Sequence, residues 1–269
     1  MSTPVPHPLV EAVRALAYEL EIHGDGPAID RDLMWSVLQG EAREPSALQQ
    51  YYLEIRDCQK CPLGRTRTHF VFGVGNEKAE IMFVGEAPGA EEDLQGEPFV
   101  GRAGQLLNKM LAEVGLRRQE VYIANVLKCR PPGNRDPLAE EVAQCLPYLR
   151  RQIEIIRPKL LVCLGRIAAQ ALLDVLTPLN RLRGPVWEFH GIPMLVTYHP
   201  AAVLRTPSLY EAAIADLRRA VQLHRQIVER EAQGLPGIET QEVPEADKRR
   251  KGSDEGPVQA IQETLPLDE

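Results

Sequence analysis

The 269-residue chain is predicted to be an α/β protein: doubly wound, with a mostly parallel four-stranded central sheet and helices on both faces. Two patterns predict this. From about residue 70, short runs that are apolar throughout alternate with helical stretches, and such runs belong to strands covered on both faces. Each run also leads into a turn and then an amphipathic segment, the repeating unit of a parallel sheet.

The strand candidates are THFVFG (68–73), EIMFVG (80–85), VYIANVLK (121–128), KLLVCLG (159–165) and PMLVTYH (193–199). The helix candidates are 103–115, 138–156 with Pro147 near a break, 166–176 and 209–230. Apolar positions at helical spacing also predict helices over 9–23, near 30–40 and over 46–56. Residues 1–45 thus read as a helical extension and 46–230 as a single α/β domain. Residues 231–269, without an aromatic side chain and with KRRK at 248–251, read as a disordered acidic tail.

Charge is divided along the chain. The net charge is −7, yet residues 100–230 hold nineteen basic against eleven acidic side chains. That excess can supply the local basic surface a nucleic-acid partner requires. No apolar run reaches the roughly 18 residues of a membrane span, and the N-terminus lacks the pattern of a secretory signal. A cytoplasmic protein is expected.

Four of the five cysteines form two pairs, Cys58/Cys61 in CQKC and Cys129/Cys145 in C-x15-C. Soft thiolates so spaced can close one site around zinc or an iron–sulfur cluster; unrelated buried thiols are the alternative. Cys163, inside LLVCLG, reads as a small core residue. An odd count argues against a disulfide framework.

Ligands of open α/β sheets bind beyond the carboxyl ends of the strands. Here those ends carry GEAPG (85–89), Asn125, Gly165-Arg166 and His199-Pro200. Glu86, Asn125 and His199 are therefore expected at one rim. The glycines and proline of GEAPG force a tight turn that aims backbone N–H groups outward. Neither a P-loop nor G-x-G-x-x-G occurs, which removes the common phosphate and dinucleotide readings. Asn125 interrupts an apolar strand and has the donor and acceptor needed to read a base edge. Phe99, in GEPFVGRAG, is either core filler or a stacking platform. The segment HPAAVLR offers Ala202, Val203 and Leu204 as a groove-inserting loop and Arg205 as a phosphate contact.

Taken together, CQKCPLGRTR (58–67), VGEAPGAEED (84–93), GEPFVGRAG (96–104), NVLKCRPPGNRDP (125–137) and TYHPAAVLR (197–205) resemble the family 4 uracil-DNA glycosylases, the iron–sulfur type, over roughly residues 50–225. The resemblance implies a structural 4Fe-4S cluster on Cys58, Cys61, Cys129 and Cys145, with zinc the other occupant that four thiolates allow. It implies an enzyme of base excision repair acting on uracil-containing DNA, single- or double-stranded; a monomer is expected. Glu86 would orient water and His199 would stabilise the departing base. Ala87, Phe99 and Asn125 would complete the uracil pocket, and Glu92 would crowd C5. RPPGNRDP stands where a related branch places a covalent histidine, so a hydrolytic outcome is implied. A replication or repair protein docking on the termini is a further expectation. The competing readings are a non-catalytic iron–sulfur or zinc nucleic-acid-binding protein and a glycosylase of this fold acting on another deaminated or mismatched base.

Overall fold

A computed structural model describes residues 45–244. The helices expected over 9–23 and 30–40, and the KRRK cluster, lie outside the described residues. The chain divides between Glu54 and Ile55, nine residues beyond the boundary expected at 45/46. Helix α1, Ala47–Ile55, precedes the cysteine pair of CQKC.

The sheet has six strands: β1 (Val74–Gly75), β2 (Ile81–Gly85), β3 (Tyr122–Asn125), β4 (Leu160–Leu164), β5 (Trp187–Phe189) and β6 (Ile192–Thr197), in the order β1-β3-β2-β4-β6-β5. The middle four are parallel, the expected central sheet. The two outer strands are antiparallel additions. One strand expectation needs correction, and the two outer strands are not among the candidates. THFVFG is not a strand; Asp93 accepts from Thr68 N and Oγ1 (2.9 Å each), and Val71 N donates to Lys128 O (2.9 Å). Those bonds hold the segment extended without a ladder, and pairing begins only at Val74. The unexpected β5 is joined to β6 by a two-residue turn at His190-Gly191 with φ of 48° and 81°. Positive φ at both positions is the hairpin geometry matching strand twist.

Parallel strands need crossovers, and these are helical. Between β2 and β3 lie α2 (Ala90–Gln95) and α3 (Arg102–Glu113); α4 (Ala139–Ile156) joins β3 to β4. After β4 come α5 (Arg166–Leu173) and α6 (Leu179–Leu182); after β6 come α7 (Pro200–Arg205) and α8 (Tyr210–Ala232). Phe83, Ile123, Val162 and Leu195 form one face with Leu107 and Leu111 of α3, Val203 of α7 and Ile214 and Leu217 of α8. Met82, Tyr122, Leu161 and Met194, one residue over in register, point the other way. On that face Gln152 of α4 donates to the Tyr122 hydroxyl (3.3 Å). Strands covered on both faces explain why their sequences are uniformly apolar.

Pro147 does not break α4. It removes one hydrogen bond, but the carbonyl it orphans belongs to Ala143, which is exposed and open to water. The start of the segment expected to be disordered is also different. Residues 231–232 complete α8, and the following chain returns along β5. There Gln241 N donates to Val186 O (2.7 Å), Thr240 Oγ1 to Glu188 (2.9 Å), and Ile238 packs on the core. Among the described residues no helix is long and apolar enough to cross a membrane.

Candidate active site

Strand order turns at β2: the chain leaves it toward β3 on one side and later fills β4 and β6 on the other. Such a reversal leaves a crevice beyond the carboxyl ends. Gly85 ends β2 with Glu86 after it, Asn125 ends β3, and His199 follows β6. Val126 N donates to Gly85 O (3.0 Å) and Leu127 N to Glu86 O (2.9 Å), so β2 and β3 stay zipped past their ends. Ala87 is half-buried on the turn that follows.

The centre of the site is Gly85. A Cβ there would lie 2.4 Å from Asn125 Oδ1 and 2.5 Å from the tip of the Phe99 ring, so no larger residue fits. The Phe99 ring sits 5.4 Å from the His199 ring, tilted by 35°. Asn125, Phe99 and His199, from three distant segments, therefore form one continuous surface. Asn125 is 1% exposed, and neither its Oδ1 nor its Nδ2 has a hydrogen-bond partner. A buried carboxamide left empty costs roughly 1–3 kcal/mol.

His199 also caps α7: Ala201 N donates to His199 Nδ1 (3.1 Å). That bond leaves the ring proton on Nε2. Burial, with help from Arg205 and against Glu92, pulls the imidazole pKa down to about 4. The group is thus a neutral Nε2–H donor at pH 7. Glu86 moves the opposite way. Burial, then the Asp136 carboxylate, lift its pKa from 4.5 to about 7, against the pull of Arg166 and Arg205. Arg166 pairs with Asp136 (3.3 Å), and the loop carrying Asp136 is pinned where Arg135 makes two bonds (2.6 and 2.9 Å) to the buried Glu141.

The Glu86 shift has a sign that can be checked. A carboxyl easier to ionise when unfolded lowers stability as pH rises from 4.5 through 7. Glu86→Gln should therefore raise Tm at pH 8 and leave it unchanged at pH 4. An equal Tm difference at both pH values would contradict the shift.

Glu92 is less free than expected. Its carboxylate accepts from Gly89 N (3.1 Å), Val100 N (2.9 Å) and Gly101 N (2.9 Å), bracing the GEAPG turn against the Phe99 segment. HPAAVLR is a helix and not a loop, because His199 and Pro200 start α7. One turn on from the cap, Val203 faces the core and is 2% exposed, which removes it as a DNA contact. Ala202 is half-buried, while Leu204 and Arg205 are exposed. Phe99 adopts φ of 55°, a backbone costing an L residue about 1–2 kcal/mol.

Comparison with known proteins decides the family. A family model described as uracil DNA glycosylase superfamily matches residues 72–221. A type-4 uracil-DNA glycosylase of Archaeoglobus fulgidus is 53% identical over 185 residues, 66% of this chain and 93% of that protein. The chain belongs to the type-4 uracil-DNA glycosylase family. A type-4 enzyme of Saccharolobus solfataricus is 47% identical, over 62% of this chain and 81% of its own length. A type-5 uracil-DNA glycosylase of Pyrobaculum aerophilum is further away, 36% identical over 54% of this chain and 73% of its own.

In this glycosylase Cys58, Cys61, Cys129 and Cys145 line a single cavity with Phe70 and Tyr148. Cys163 lies apart, fully buried against Met194. Donors point at the grouped sulfurs: Tyr148 OH at Cys58 (3.1 Å), Arg67 Nη1 at Cys129 (3.3 Å) and Lys128 N at Cys145 (3.3 Å). Hydrogen bonds of this kind are the surroundings that ligating sulfurs receive. Four sulfurs lining one cavity are a donor set that zinc or an iron–sulfur cluster takes.

Lys128, silent in the sequence, connects this cavity to the rim. Its fully buried ammonium donates to Asn125 O (2.9 Å), Phe72 O (3.0 Å) and Gln152 Oε1 (2.5 Å), three acceptors for three protons.

Proposed function

We infer that this protein excises uracil from single- and double-stranded DNA by hydrolysing the N-glycosidic bond, the first step of base excision repair. The observation that carries the reading is Asn125: a buried amide with a free donor and a free acceptor, beside an aromatic ring, awaits a ligand with the complementary pair. Uracil offers O4 and N3–H; cytosine offers the reverse polarity at its 4-position, and would leave buried groups unpaired.

The target nucleotide leaves the stack at a cost of a few kcal/mol. Exposed Leu204 and Arg205, with Ala202 beside them, support the opened strand. The base enters against Phe99, its O4 and N3–H meeting Asn125, with the Glu86-Ala87 backbone at its side. Glu92 can act near C5 only by bulk, since its oxygens are already engaged. As the N1–C1′ bond breaks, its electron pair goes to the uracil ring and charge gathers on O2. The neutral His199 Nε2–H donates there. Glu86 carboxylate orients the water whose oxygen bonds to C1′ and takes up its proton. The four cysteines would hold a 4Fe-4S cluster, which would supply a crosslink between the CQKC segment, the stretch after β3 and α4. No reaction step passes through it.

Alkali-labile scission of uracil-containing oligonucleotides tests the activity; a gel shift without scission would leave only a binding protein. His199→Ala should slow single-turnover excision about 10²- to 10³-fold while retaining affinity for uracil-containing DNA. Loss of the α7 cap should lower Tm by only a few degrees. An unchanged rate would remove His199 from the chemistry.

A further inference from the structure

The ring expected to stack on uracil is carried by an unfavourable backbone. Phe99 has φ of 55°, and it caps no helix that would account for it. Three groups hold it there. Glu92 fixes the next two N–H groups, as described. Gly104 lets α3 approach: a Cβ at that position would lie 1.9 Å from Phe99 O and 2.0 Å from its carbonyl carbon. The third is Arg118, from the turn before β3. Its Nη1 donates to Phe99 O (3.1 Å) and to Asn108 Oδ1 (3.2 Å), and its Nη2 to Pro98 O (2.5 Å). A planar guanidinium thus grips two successive carbonyls, a grip that a lysine ammonium does not reproduce.

We propose that Arg118 is a positioning residue for uracil recognition, its guanidinium fixing the left-handed backbone of Phe99 so that the ring faces the flipped base. This rests on the reading that Phe99 stacks on uracil. Arg118 does not touch the base in this account; it acts wholly through Phe99. Without it the chain at Phe99 relaxes to negative φ and the ring swings off its seat beside Gly85.

The test is a double-mutant cycle with Arg118→Ala, Phe99→Ala and the pair, read by single-turnover excision and by inhibition with free uracil. Arg118→Ala should slow excision about 10- to 100-fold, the scale of a displaced binding group. It should weaken free-uracil inhibition in parallel and leave affinity for undamaged DNA unchanged. In the Phe99→Ala background it should add nothing. Arg118→Lys, which keeps charge and one donor, should recover only part of the loss and serves if the alanine variant does not fold. Additive losses, or weakened binding of undamaged DNA, would overturn the proposal by giving Arg118 a role of its own. A wild-type rate for Phe99→Ala would instead remove the stacking reading, a distinct failure.

Discussion

Replacing Asn125 by leucine should make the protein more heat-resistant and far less active. Both atoms of the amide are buried without partners, so the unliganded fold bears their desolvation cost. A leucine of similar size has nothing to satisfy, and roughly 1–3 kcal/mol of stability should return, a few degrees in Tm for a domain of this size. Excision should fall about 30- to 10⁴-fold, the weight of leaving two polar groups of the base buried without partners at roughly 1–3 kcal/mol each. Calorimetry and single-turnover kinetics on one preparation measure both. A variant that melts earlier than wild type and still cuts would mean that Asn125 serves the fold and not the base.

The second large effect concerns the sulfurs. If the four sulfurs hold the proposed cluster, Cys145→Ser should strip iron and visible colour from the purified protein and lower its stability by several kcal/mol, because an incomplete ligand set leaves three segments untied. Cys145 sits on α4, Cys129 beyond β3, and Cys58 and Cys61 after α1. Burial pushes the free Cys145 thiol up to about 12, against the pull of Lys128. Cys163→Ser is the control: it disturbs packing against Met194 but should leave iron content untouched. Full iron loading in Cys145→Ser would exclude that residue as a ligand, and zinc in place of iron would change the cofactor.

The parallel strands are readable in the sequence because both their faces are covered: IMFV and LLVCL carry no polar interruption. The edge strands are not. Val74–Gly75 is two residues long, and WEF shows only weak alternation, so the His190-Gly191 turn is the one local signal of that hairpin. THFVFG misleads because its segment is held by a neighbouring carboxylate and a lysine carbonyl rather than by pairing. At the site, Glu86, Asn125 and His199 are placed by position alone, at strand ends. Arg118, Lys128 and Gly104 cannot be, since they act on backbone carbonyls, which every residue possesses. Val203 differs from expectation because a six-residue helix stands where a loop was expected, and helical geometry turns Val203 inward.

The return of residues 235–241 along β5 changes where a minimal version of this enzyme should be cut. A β5 stripped of that cover would show its outer backbone groups to solvent, an invitation for the same strand of a second molecule to dock there. Engineers trimming the acidic end would do well to stop after Gln241 and not at the close of the last helix.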